Sequence, residues 1–350
     1  MESQWLGFGK VVSEFESAFS AKYGLPDLVM VDSGSNALYM AVHLLNLPPN
    51  SEVIVPSFTW VSCAHAVILA GHKPVFCDVD LLTMNVTVET IKAQVTEKTA
   101  AVMVVHYAGL AVDMDPIVEL GFPVIEDVAH ALASTYKGRP CGTLGDVAIY
   151  SFDAVKNLTV GEGGVLTSVH DDLVKRGRTL RYCGIGKSGF DSVSTGGESS
   201  KWWEYNITEP FIKMLPTNLN ASIGIGQLEK IDALQERRKE IWNRYKNELK
   251  NIDEIICPVD EPEGDMHSYF TFSIRAKKRD MLANYLLEKD IYTTLRYHPL
   301  HLNPLYSATD QELPNSTILN LEALSIPLHP RLTDYDISKV INEIIRFYKK

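Results

Sequence analysis

Three polar residues stand out in the segment from Pro123 to Gly164, PVIEDVAHALASTYKGRPCGTLGDVAIYSFDAVKNLTVGEGG. Asp127 ends an apolar run, Lys156 follows 29 residues later in a polar loop, and Ser151 precedes that lysine by five residues. A lysine amine condenses with the aldehyde of pyridoxal phosphate, and a carboxylate keeps the pyridine nitrogen of that cofactor protonated so that the ring accepts electrons. A hydroxyl near the lysine can bind the cofactor phosphate. The set therefore indicates pyridoxal phosphate chemistry.

Each of these residues also has an ordinary structural interpretation. Asp127 alone could cap a following helix, Lys156 alone could be a solvated loop residue, and GEGG alone is a turn. Their order favours the cofactor interpretation. A strand ends at Asp127, His130 follows three residues later, and a glycine-rich link leads to the strand VAIYSF, to Lys156 and to the glycines.

The composition limits the function classes. The chain has 350 residues, 45% of them hydrophobic, which suffices for one large domain and a smaller one. A formal net charge of −11 argues against nucleic acid or an anionic membrane as the main partner. The cysteines form no CxxC pair, so neither a disulfide framework nor a structural metal site is expected. With no secretory leader pattern and no apolar run near the roughly 18 residues of a membrane span, we expect a soluble, cytoplasmic protein.

Short apolar runs alternate with helical patterns, as in an α/β sheet with helices on both faces. The runs are apolar throughout, which is typical of parallel strands buried on both sides. They are LVMV, SEVIVP, PVFCDVD, AAVMVVHY and PVIED. Helices are predicted over residues 36–47, 88–95, 112–120, 221–252, 278–289 and 336–349.

The domain organisation predicted from this pattern has two parts. A large α/β domain with a mostly parallel sheet spans residues 1–251 and includes the long helix, and a small α+β domain spans residues 252–350. The boundary is placed near Ile252. Residues 184–201 are rich in Gly and Ser and are predicted to form a long mobile loop.

The segment DSGSNAL is predicted to be a strand-to-helix turn with free backbone N–H groups. Such a turn binds phosphate, so Gly34, Ser35 and Asn36 are candidate phosphate ligands. Ser35 could instead only cap the helix. Trp60, which follows the next strand, could stack on a planar heteroaromatic ring, although a tryptophan is more often part of a core.

Taken together, these segments resemble the DegT/StrS family of pyridoxal phosphate-dependent nucleotide-sugar aminotransferases. The resemblance covers nearly the whole chain, and its segments occur in the family's order. They are SGSNAL, EVIVPSFTWVSCAHAVILAGHKPVFCDVD, VVHYAG, EDVAHAL, SFDAVKNLTVGEGG, NASIGIGQLEKID, RYHPLH and LSIPLHPRLTD. The sequence is nearest to the branch that aminates UDP-linked 4-keto-pentoses in lipid A modification, although many branches share these segments. The resemblance implies the fold type I architecture of pyridoxal phosphate-dependent transferases.

The resemblance also implies roles for single positions. Lys156 would form the Schiff base and move the proton between cofactor and sugar, Asp127 would pair with the pyridine nitrogen, and His130 would lie beside the ring oxygen. The remaining cofactor contacts implied within one chain are Gly34, Ser35, Ser151 and Trp60.

A homodimer with shared active sites is implied as well. In many relatives a partner-subunit segment of the form G-x-N-x-R-M completes the phosphate site, and the matching stretch here is EPFIKMLPTNLNASIG. Lys213 stands at the asparagine position, so we expect it to contact the phosphate across the dimer. Leu215 and Pro216 depart from the common pattern.

The family's usual reaction passes an amino group from glutamate, through the cofactor, to a ketone on a nucleotide-linked sugar used in cell-surface polysaccharides. The sugar site is the part that the sequence describes least. Candidate substrate contacts are Tyr297, His301, His329, Arg178, Arg181 and Lys187. Local packing is an equal alternative for the loop residues, and a solvated face is an alternative for the three cations. Relatives usually carry a longer segment before SQWLGFGKVVSEFE, which helps to shape the substrate end of their sites, so we expect a smaller or differently bound substrate, or another element in place of the missing wall.

Three rival functions fit parts of the pattern. Deoxysugar dehydratases share the fold but replace the Schiff-base lysine with histidine, whereas this chain keeps Lys156. The same transfer to a small phosphorylated ketone or a keto-octulosonate is an open alternative. A non-catalytic regulatory member of the fold would bind ligand without turnover, and the presence of both Lys156 and Asp127 counts against it.

Overall fold

The computed structural model describes residues 5–188, 203–306 and 312–349. In these residues the helices are α1 (Lys10–Tyr23), α2 (Gly34–Leu44), α3 (Ser62–Leu69), α4 (Val88–Lys92), α5 (Asp115–Val118), α6 (Asp171–Leu180), α7 (Asn218–Leu228), α8 (Ile231–Leu249), α9 (Arg279–Leu287), α10 (Pro314–Glu322) and α11 (Asp334–Tyr348). The strands are β1 (Leu28–Val31), β2 (Glu52–Pro56), β3 (Lys73–Cys77), β4 (Thr99–Val105), β5 (Val124–Asp127), β6 (Thr135–Tyr136), β7 (Arg139–Pro140), β8 (Val147–Ser151), β9 (Gly164–Ser168), β10 (Ile185–Ser188), β11 (Tyr205–Ile207), β12 (Ile255–Ile256), β13 (Phe272–Ala276) and β14 (Ala323–Ile326).

The largest sheet among the described residues has seven strands, in the order β1-β9-β8-β5-β4-β2-β3. The strands from β8 to β3 pair in parallel, whereas β9 is antiparallel to both β8 and β1. The prediction of a mostly parallel sheet is confirmed. The run LVMV, which forms β1, differs from the other apolar runs because its neighbour in the sheet is antiparallel.

Helices cover both faces of this sheet, as the uniformly apolar strands require. Alternate residues of β2 face opposite sides: Ile54 packs in the core cluster that contains Phe15 of α1, and Val53 packs in the cluster that contains Met40 of α2. Because the side chains of a strand point alternately to its two faces, a strand buried on both sides is apolar at every position.

The predicted single helix over residues 221–252 is wrong, because the structure has two helices, α7 and α8. The amide of Lys230 donates to the carbonyl of Gln227, a tight turn that breaks the helix between Leu228 and Ile231. Both of these apolar residues are buried in the large-domain core on either side of the break. The sequence pattern is amphipathic on both sides of the turn and does not reveal it.

The small sheet β12-β13-β14 forms the centre of a third core cluster. The second half of α8 contributes Ile241, Trp242, Tyr245 and Leu249 to this cluster. Helix α8 therefore begins in the core of the seven-stranded sheet and ends in the core of the small sheet, and the division into two domains at Ile252 stays a prediction.

Residues 184–188 of the predicted mobile loop are ordered as the turn into β10 and as β10 itself, which pairs with β11. The remainder of that loop, residues 189–201, lies outside the described part of the chain. Among the described helices, no segment is both long and apolar enough to span a bilayer.

Glu16 ties α1 to the edge of the sheet as a buried carboxylate. Its side chain accepts hydrogen bonds from the Met30 amide at 2.7 Å, from Arg181 at 2.6 Å and from Arg178 at 2.9 Å. Arg181 is buried as well and also donates to the Met30 carbonyl at 3.0 Å. A buried charge needs such a partner, since removal of one member leaves the other uncompensated.

We therefore expect Glu16→Ala to lower the free energy of unfolding by about 3–5 kcal/mol, because the Arg181 charge stays buried without its carboxylate. Urea denaturation followed by circular dichroism measures this loss. Asp27→Asn is the matched control, since Asp27 also pairs with Arg178 but is exposed, and its loss should cost about 0–1 kcal/mol. Equal effects of the two substitutions would contradict the role of burial.

Candidate active site

The carboxyl ends of β1, β5 and β8 meet at one edge of the sheet. Because β9 runs opposite to both of its neighbours, β1 has the same direction as β8. Val31, Gly164 and Ser151 lie in one row across β1, β9 and β8. The residues that follow β1 are therefore brought beside Ser151, and Asp127 ends the neighbouring strand β5.

Two glycines permit the close approach of α2 to Ser151. A Cβ on Gly34 would lie 2.7 Å from the Cβ of Ser151, and a Cβ on Gly164 would lie 2.6 Å from the Gly34 nitrogen. Neither distance is compatible with a larger side chain unless the backbone moves. The first turn of α2 consequently presents its free N–H groups next to the Ser151 hydroxyl, an arrangement suited to a phosphate group.

The two residues after Gly34 differ in where their side chains lie: Ser35 lines a cavity, and Asn36 bonds within the helix start. The Ser35 hydroxyl contacts the Ser62 hydroxyl at 2.7 Å, and both residues line the cavity described below. Asn36 does not line it, because its side chain donates to Asp32 at 2.7 Å and its amide donates to the capping hydroxyl of Ser33 at 3.1 Å. Helix α2 begins before the predicted residue 36 because Ser33 caps it.

Most of the predicted cofactor residues line one cavity of about 320 Å³ at this edge. Those brought together are Gly34, Ser35, Trp60, Asp127, His130, Ser151 and Lys156, and the predicted substrate contact Tyr297 lines the same cavity.

Lys156 presents its amine in a desolvated environment. Burial lowers the pKa of this amine from its ordinary value of 10.5 to about 8, with the charge of Asp127 acting in the opposite direction and that of Arg296 lowering it further. The Nζ atom lies 4.8 Å from the centre of the Phe270 ring. About one such amine in ten is neutral at pH 7, against about one in three thousand for an ordinary lysine.

Asp127 is a buried carboxylate with defined partners. One oxygen accepts from the Ala129 amide at 2.9 Å, and the other accepts from the Cys63 thiol at 3.3 Å. Burial raises the pKa of the Asp127 carboxyl, while the hydrogen bond from Ala129 and the charge of Lys156 oppose that rise. A carboxylate at such a site favours a protonated nitrogen opposite it.

The chain neighbour Glu126 points to the opposite face of the sheet, as alternation along a strand requires. It contacts His106 at 3.0 Å and accepts from the amides of Gly142, Leu144 and Gly145 at 2.7–2.8 Å. These contacts hold the segment that leads into β8. They therefore help to set the position of Ser151, at the end of β8, relative to Asp127, at the end of β5.

His130 lines the cavity as a neutral imidazole. Burial holds the pKa of His130 well below its usual range, and the nearby charges of Lys156 and Arg296 add to that effect. Its Nε2 atom contacts the Tyr297 hydroxyl at 3.0 Å, and its ring stacks on Phe270 at 4.1 Å. Its Nδ1 atom is buried and has no hydrogen-bond partner among the described residues, which leaves it available to a bound group.

Trp60 and Tyr297 form the outer wall. The Trp60 side chain is 53% exposed, and its ring lies 5.4 Å from that of Tyr297 with an angle of 52° between the planes. A tryptophan so exposed at the wall of a cavity contributes little to a core and is free to stack on a ligand.

The structure sets several other predicted residues apart from this cavity. Arg178 and Arg181 pair with Glu16, so their charges serve the edge of the sheet. His301 is buried, with Nδ1 2.6 Å from the Ser57 hydroxyl. His329 lines a second, adjoining cavity.

Two predicted residues lie on the surface or beyond the described side chains. Lys213 is exposed and does not line the cavity of its own chain, while its backbone bridges to Tyr182. The backbone of Lys187 lies in β10, and its side chain is outside the described part.

Sequence reasoning missed four residues that shape the site. Arg296 stands next to Tyr297 in the segment RYHPLH, which was a usable signal, and Ser62 and Cys63 follow Trp60. Phe270 lies 114 residues after Lys156, and no local pattern connects the two.

These residues fit pyridoxal phosphate. A glycine-dependent helix start faces a serine hydroxyl, a buried carboxylate lies at a strand end, and a half-buried lysine has an amine that is partly neutral at physiological pH. The orphaned Nδ1 of His130 offers one more polar contact to a ring substituent.

Comparisons with known proteins agree with this geometry. The family model described as the DegT/DnrJ/EryC1/StrS aminotransferase family matches residues 1–345. The chain is 35% identical to dTDP-4-dehydro-2,3,6-trideoxy-D-glucose 4-aminotransferase of Saccharopolyspora spinosa, over 97% of this chain and 90% of that protein. It is 34% identical to the spore coat polysaccharide biosynthesis protein SpsC of Bacillus subtilis (strain 168), over 98% and 91% of the two chains.

A solved structure supports the fold and the cofactor. Spr1654 of Streptococcus pneumoniae, named a sugar aminotransferase and solved in its PMP form, superposes with a TM-score of 0.92. It is 26% identical and covers 99% of this chain and 94% of its own. The predicted fold type I architecture and the predicted cofactor, pyridoxal phosphate, are confirmed.

The lowered pKa of Lys156 predicts how cofactor capture depends on pH. Only the neutral amine reacts with an aldehyde, so capture by the cofactor-free protein should rise about tenfold per pH unit and level off near pH 8. Arg296→Met should move this midpoint upward, because the Arg296 charge helps to keep the amine neutral. Stopped-flow absorbance between pH 6 and 10 measures both, and a wild-type midpoint near 10 would contradict the desolvation argument.

Proposed function

We propose, since the chain belongs to the DegT/DnrJ/EryC1/StrS aminotransferase family, that it transfers an amino group from glutamate to a keto group of a nucleotide-linked sugar. The observation that carries the transferase chemistry is the convergence of Lys156 and Asp127 on one cavity. Bound pyridoxal phosphate supplies an aldehyde that accepts the amino group and a ring that stabilises negative charge.

Lys156 is the group that moves protons in this proposal. Its pKa of about 8 lets the amine accept a proton from the carbon of the amino donor and return it near neutral pH, where a general base is most effective. The amine lies 4.8 Å from the centre of the Phe270 ring, and Lys156 and Arg296 line the cavity together. A substrate carbon bound in this cavity would lie close to the amine.

Asp127 and His130 hold the ring end of the cofactor in this proposal. The Ala129 amide and the Cys63 thiol donate hydrogen bonds that favour the charged form of the carboxylate, and a charged carboxylate favours a protonated ring nitrogen. The neutral His130 contributes hydrogen bonding without a competing positive charge.

The acceptor is proposed from the names of two relatives. One relative is named for amination of a dTDP-linked keto-sugar, and another is named for spore coat polysaccharide biosynthesis. A product destined for a cell-surface polysaccharide, lipopolysaccharide included, is consistent with both names. The reaction needs no membrane-spanning element, and we propose a cytoplasmic location.

A homodimer is proposed because apolar side chains are exposed beside the site. Leu219 and Ile223 lie one turn apart on α7 and are 47% and 43% exposed, and Ile212 is 53% exposed. On the same helix, Asn220 donates to the carbonyls of Val160 and Glu162, next to the cavity. Exposed apolar surface of this kind is typical of protein interfaces. A partner docked there would bring the partner's Lys213 toward the phosphate end.

The test of the reaction uses the purified protein with its cofactor. Glutamate should discharge the yellow colour and release 2-oxoglutarate, and a keto-sugar nucleotide should then restore the colour. Lys156→Ala should abolish turnover with the fold intact, and Asp127→Asn should keep some cofactor but lose most of the rate, at least about 100-fold, because the ring nitrogen loses its counter-charge. Lys137→Ala is the control, since Lys137 is exposed and paired with Asp115.

Retained transamination in Lys156→Ala, or full activity in Asp127→Asn, would contradict the proposal. The acceptor is found by a panel of dTDP- and UDP-linked keto-sugars, with a phosphorylated ketone and a keto-octulosonate included. Turnover of only the last two would replace the nucleotide sugar but leave the transfer chemistry in place.

Shared sites predict complementation between one inactive and one impaired variant. Lys213→Ala should weaken cofactor retention, and a mixture of Lys213→Ala with Lys156→Ala should recover up to about a quarter of wild-type activity, since each mixed dimer holds one complete site. Enzyme assays after subunit exchange measure the recovery. Without any recovery, and with exchange verified by mass spectrometry, the site would belong to one chain.

A further inference from the structure

A second cavity, of about 940 Å³, adjoins the first along the catalytic lysine. Lys156, Val155 and Arg296 line both cavities, so a molecule in the second cavity lies against the amine that moves protons. The opposite walls come from α8 and from small-domain residues 290–296 and 325–332.

Arg238 is a buried cation in the wall of this cavity. Its side chain is only 5% exposed, and it donates only to the backbone carbonyls of Leu328, Phe270 and Tyr269, at 3.1–3.5 Å. Its Nε atom is buried and has no hydrogen-bond partner in the described part of the chain. Within residues 5–188, 203–306 and 312–349, no carboxylate pairs with it. A buried guanidinium without a counter-ion is costly for a protein to keep.

Other arginines of α8 do have acidic partners. Arg237 pairs with Glu240 at 3.0 Å and with Asp334 at 2.8 Å, and Arg244 lies 3.8 Å from Asp334. Carboxylates therefore pair with Arg237 and Arg244 on this helix, whereas no carboxylate in the described part of the chain pairs with the buried arginine that lines the cavity.

Arg296 is a second cation without a carboxylate partner among the described residues. Its guanidinium carbon lies 5.2 Å from the centre of the Phe270 ring, and the Lys156 amine lies 4.8 Å from the same centre. Phe270 thus links the lysine to Arg296 through its ring and to Arg238 through its carbonyl.

The acids of the cavity do not neutralise this pair. Asp336 is occupied as the partner of the Thr333 amide and hydroxyl, at 2.9 and 2.7 Å, where it caps α11. Asp290 also lines the cavity, but Arg331 and Lys339 line it too and balance its charge together with that of Asp336.

We infer that Arg296 and Arg238 form the receptor for a dicarboxylic amino donor, an inference that rests on the proposed function. The carboxylate attached to the reacting carbon must lie close to the Lys156 amine, which matches Arg296. The distal carboxylate extends into the second cavity and neutralises Arg238. A guanidinium is suited to this task because its planar N–H groups match a carboxylate in a two-pronged hydrogen bond.

This arrangement predicts discrimination between glutamate and glutamine. The two donors have nearly the same size, but only glutamate brings the charge that Arg238 lacks. A hydrogen bond to a charged group corresponds to a preference of about 10- to 100-fold for glutamate. A diphosphate is the other anion that two arginines could bind, and the experiment separates the two.

The experiment follows the first half of the reaction alone, in the holoenzyme without any sugar. Loss of the colour of the pyridoxal phosphate form is timed with glutamate, aspartate, glutamine or alanine. Wild-type protein should react with glutamate about 10- to 100-fold faster than with glutamine. Arg238→Gln should remove this preference, so that glutamate reacts no faster than glutamine, whereas Arg237→Gln, on the same helix, should keep the wild-type ratio.

Inorganic pyrophosphate is the probe for the alternative ligand. If it inhibits the wild type and loses its effect in Arg238→Gln while the preference for glutamate persists, the cavity binds a diphosphate and the inference is overturned. Equal wild-type rates with glutamate and glutamine overturn it as well, and this result needs no variant. The wild-type comparison is needed because Arg238 also donates to three backbone carbonyls, so its substitution also removes structural hydrogen bonds. For the same reason, Arg238→Lys and a melting curve accompany Arg238→Gln.

The proposed function and this inference fail in different ways. No colour change with any amino donor would reject the proposed transfer from an amino acid. A colour change that is fast with glutamate and indifferent to Arg238 and Arg296 substitutions would reject only the receptor.

Discussion

The direction of β9 is the constraint on which the site depends. This strand runs opposite to both neighbours, so β1 regains the direction of β8 and β5, and the three carboxyl ends share one edge. The turn into α2 then lies beside Ser151, and the space between them is closed to any residue but glycine at positions 34 and 164. The pairing of the strands thereby sets the relative positions of the first turn of α2, Ser151 and Asp127.

Burial of the side chains at this edge shifts their pKa values. The same burial that raises the pKa of Asp127 lowers those of Lys156 and His130, so one pocket holds a carboxylate, a partly neutral amine and a neutral imidazole. The chain is acidic overall, but its second cavity contains two arginines that no described carboxylate neutralises. Local field and net charge are separate properties, and the local field decides which ligand enters.

The contrast among the arginines shows why charge runs are hard to interpret from sequence. Arg178 and Arg181 stand near a Gly- and Ser-rich segment and so suggest phosphate binding, yet both pair with Glu16, which is more than 160 residues away in the chain. Arg238 belongs to an amphipathic helix rich in charge and has no such suggestive context, yet it is buried and has no acidic partner among the residues that the structure describes. Only the positions of distant carboxylates distinguish the two cases.

The sequence by itself determined the α/β class, the cofactor, and the pair Asp127 and Lys156, because strand ends, glycine turns and residue order are local and leave a local pattern. It did not reveal the break between Leu228 and Ile231, the ring of Phe270 beside Lys156, or the second cavity. These depend on contacts between residues far apart in the chain. Hydrophobic periodicity records which face of a helix is buried, but not which partner buries it, and so the tertiary structure alone decided the surroundings of the amine.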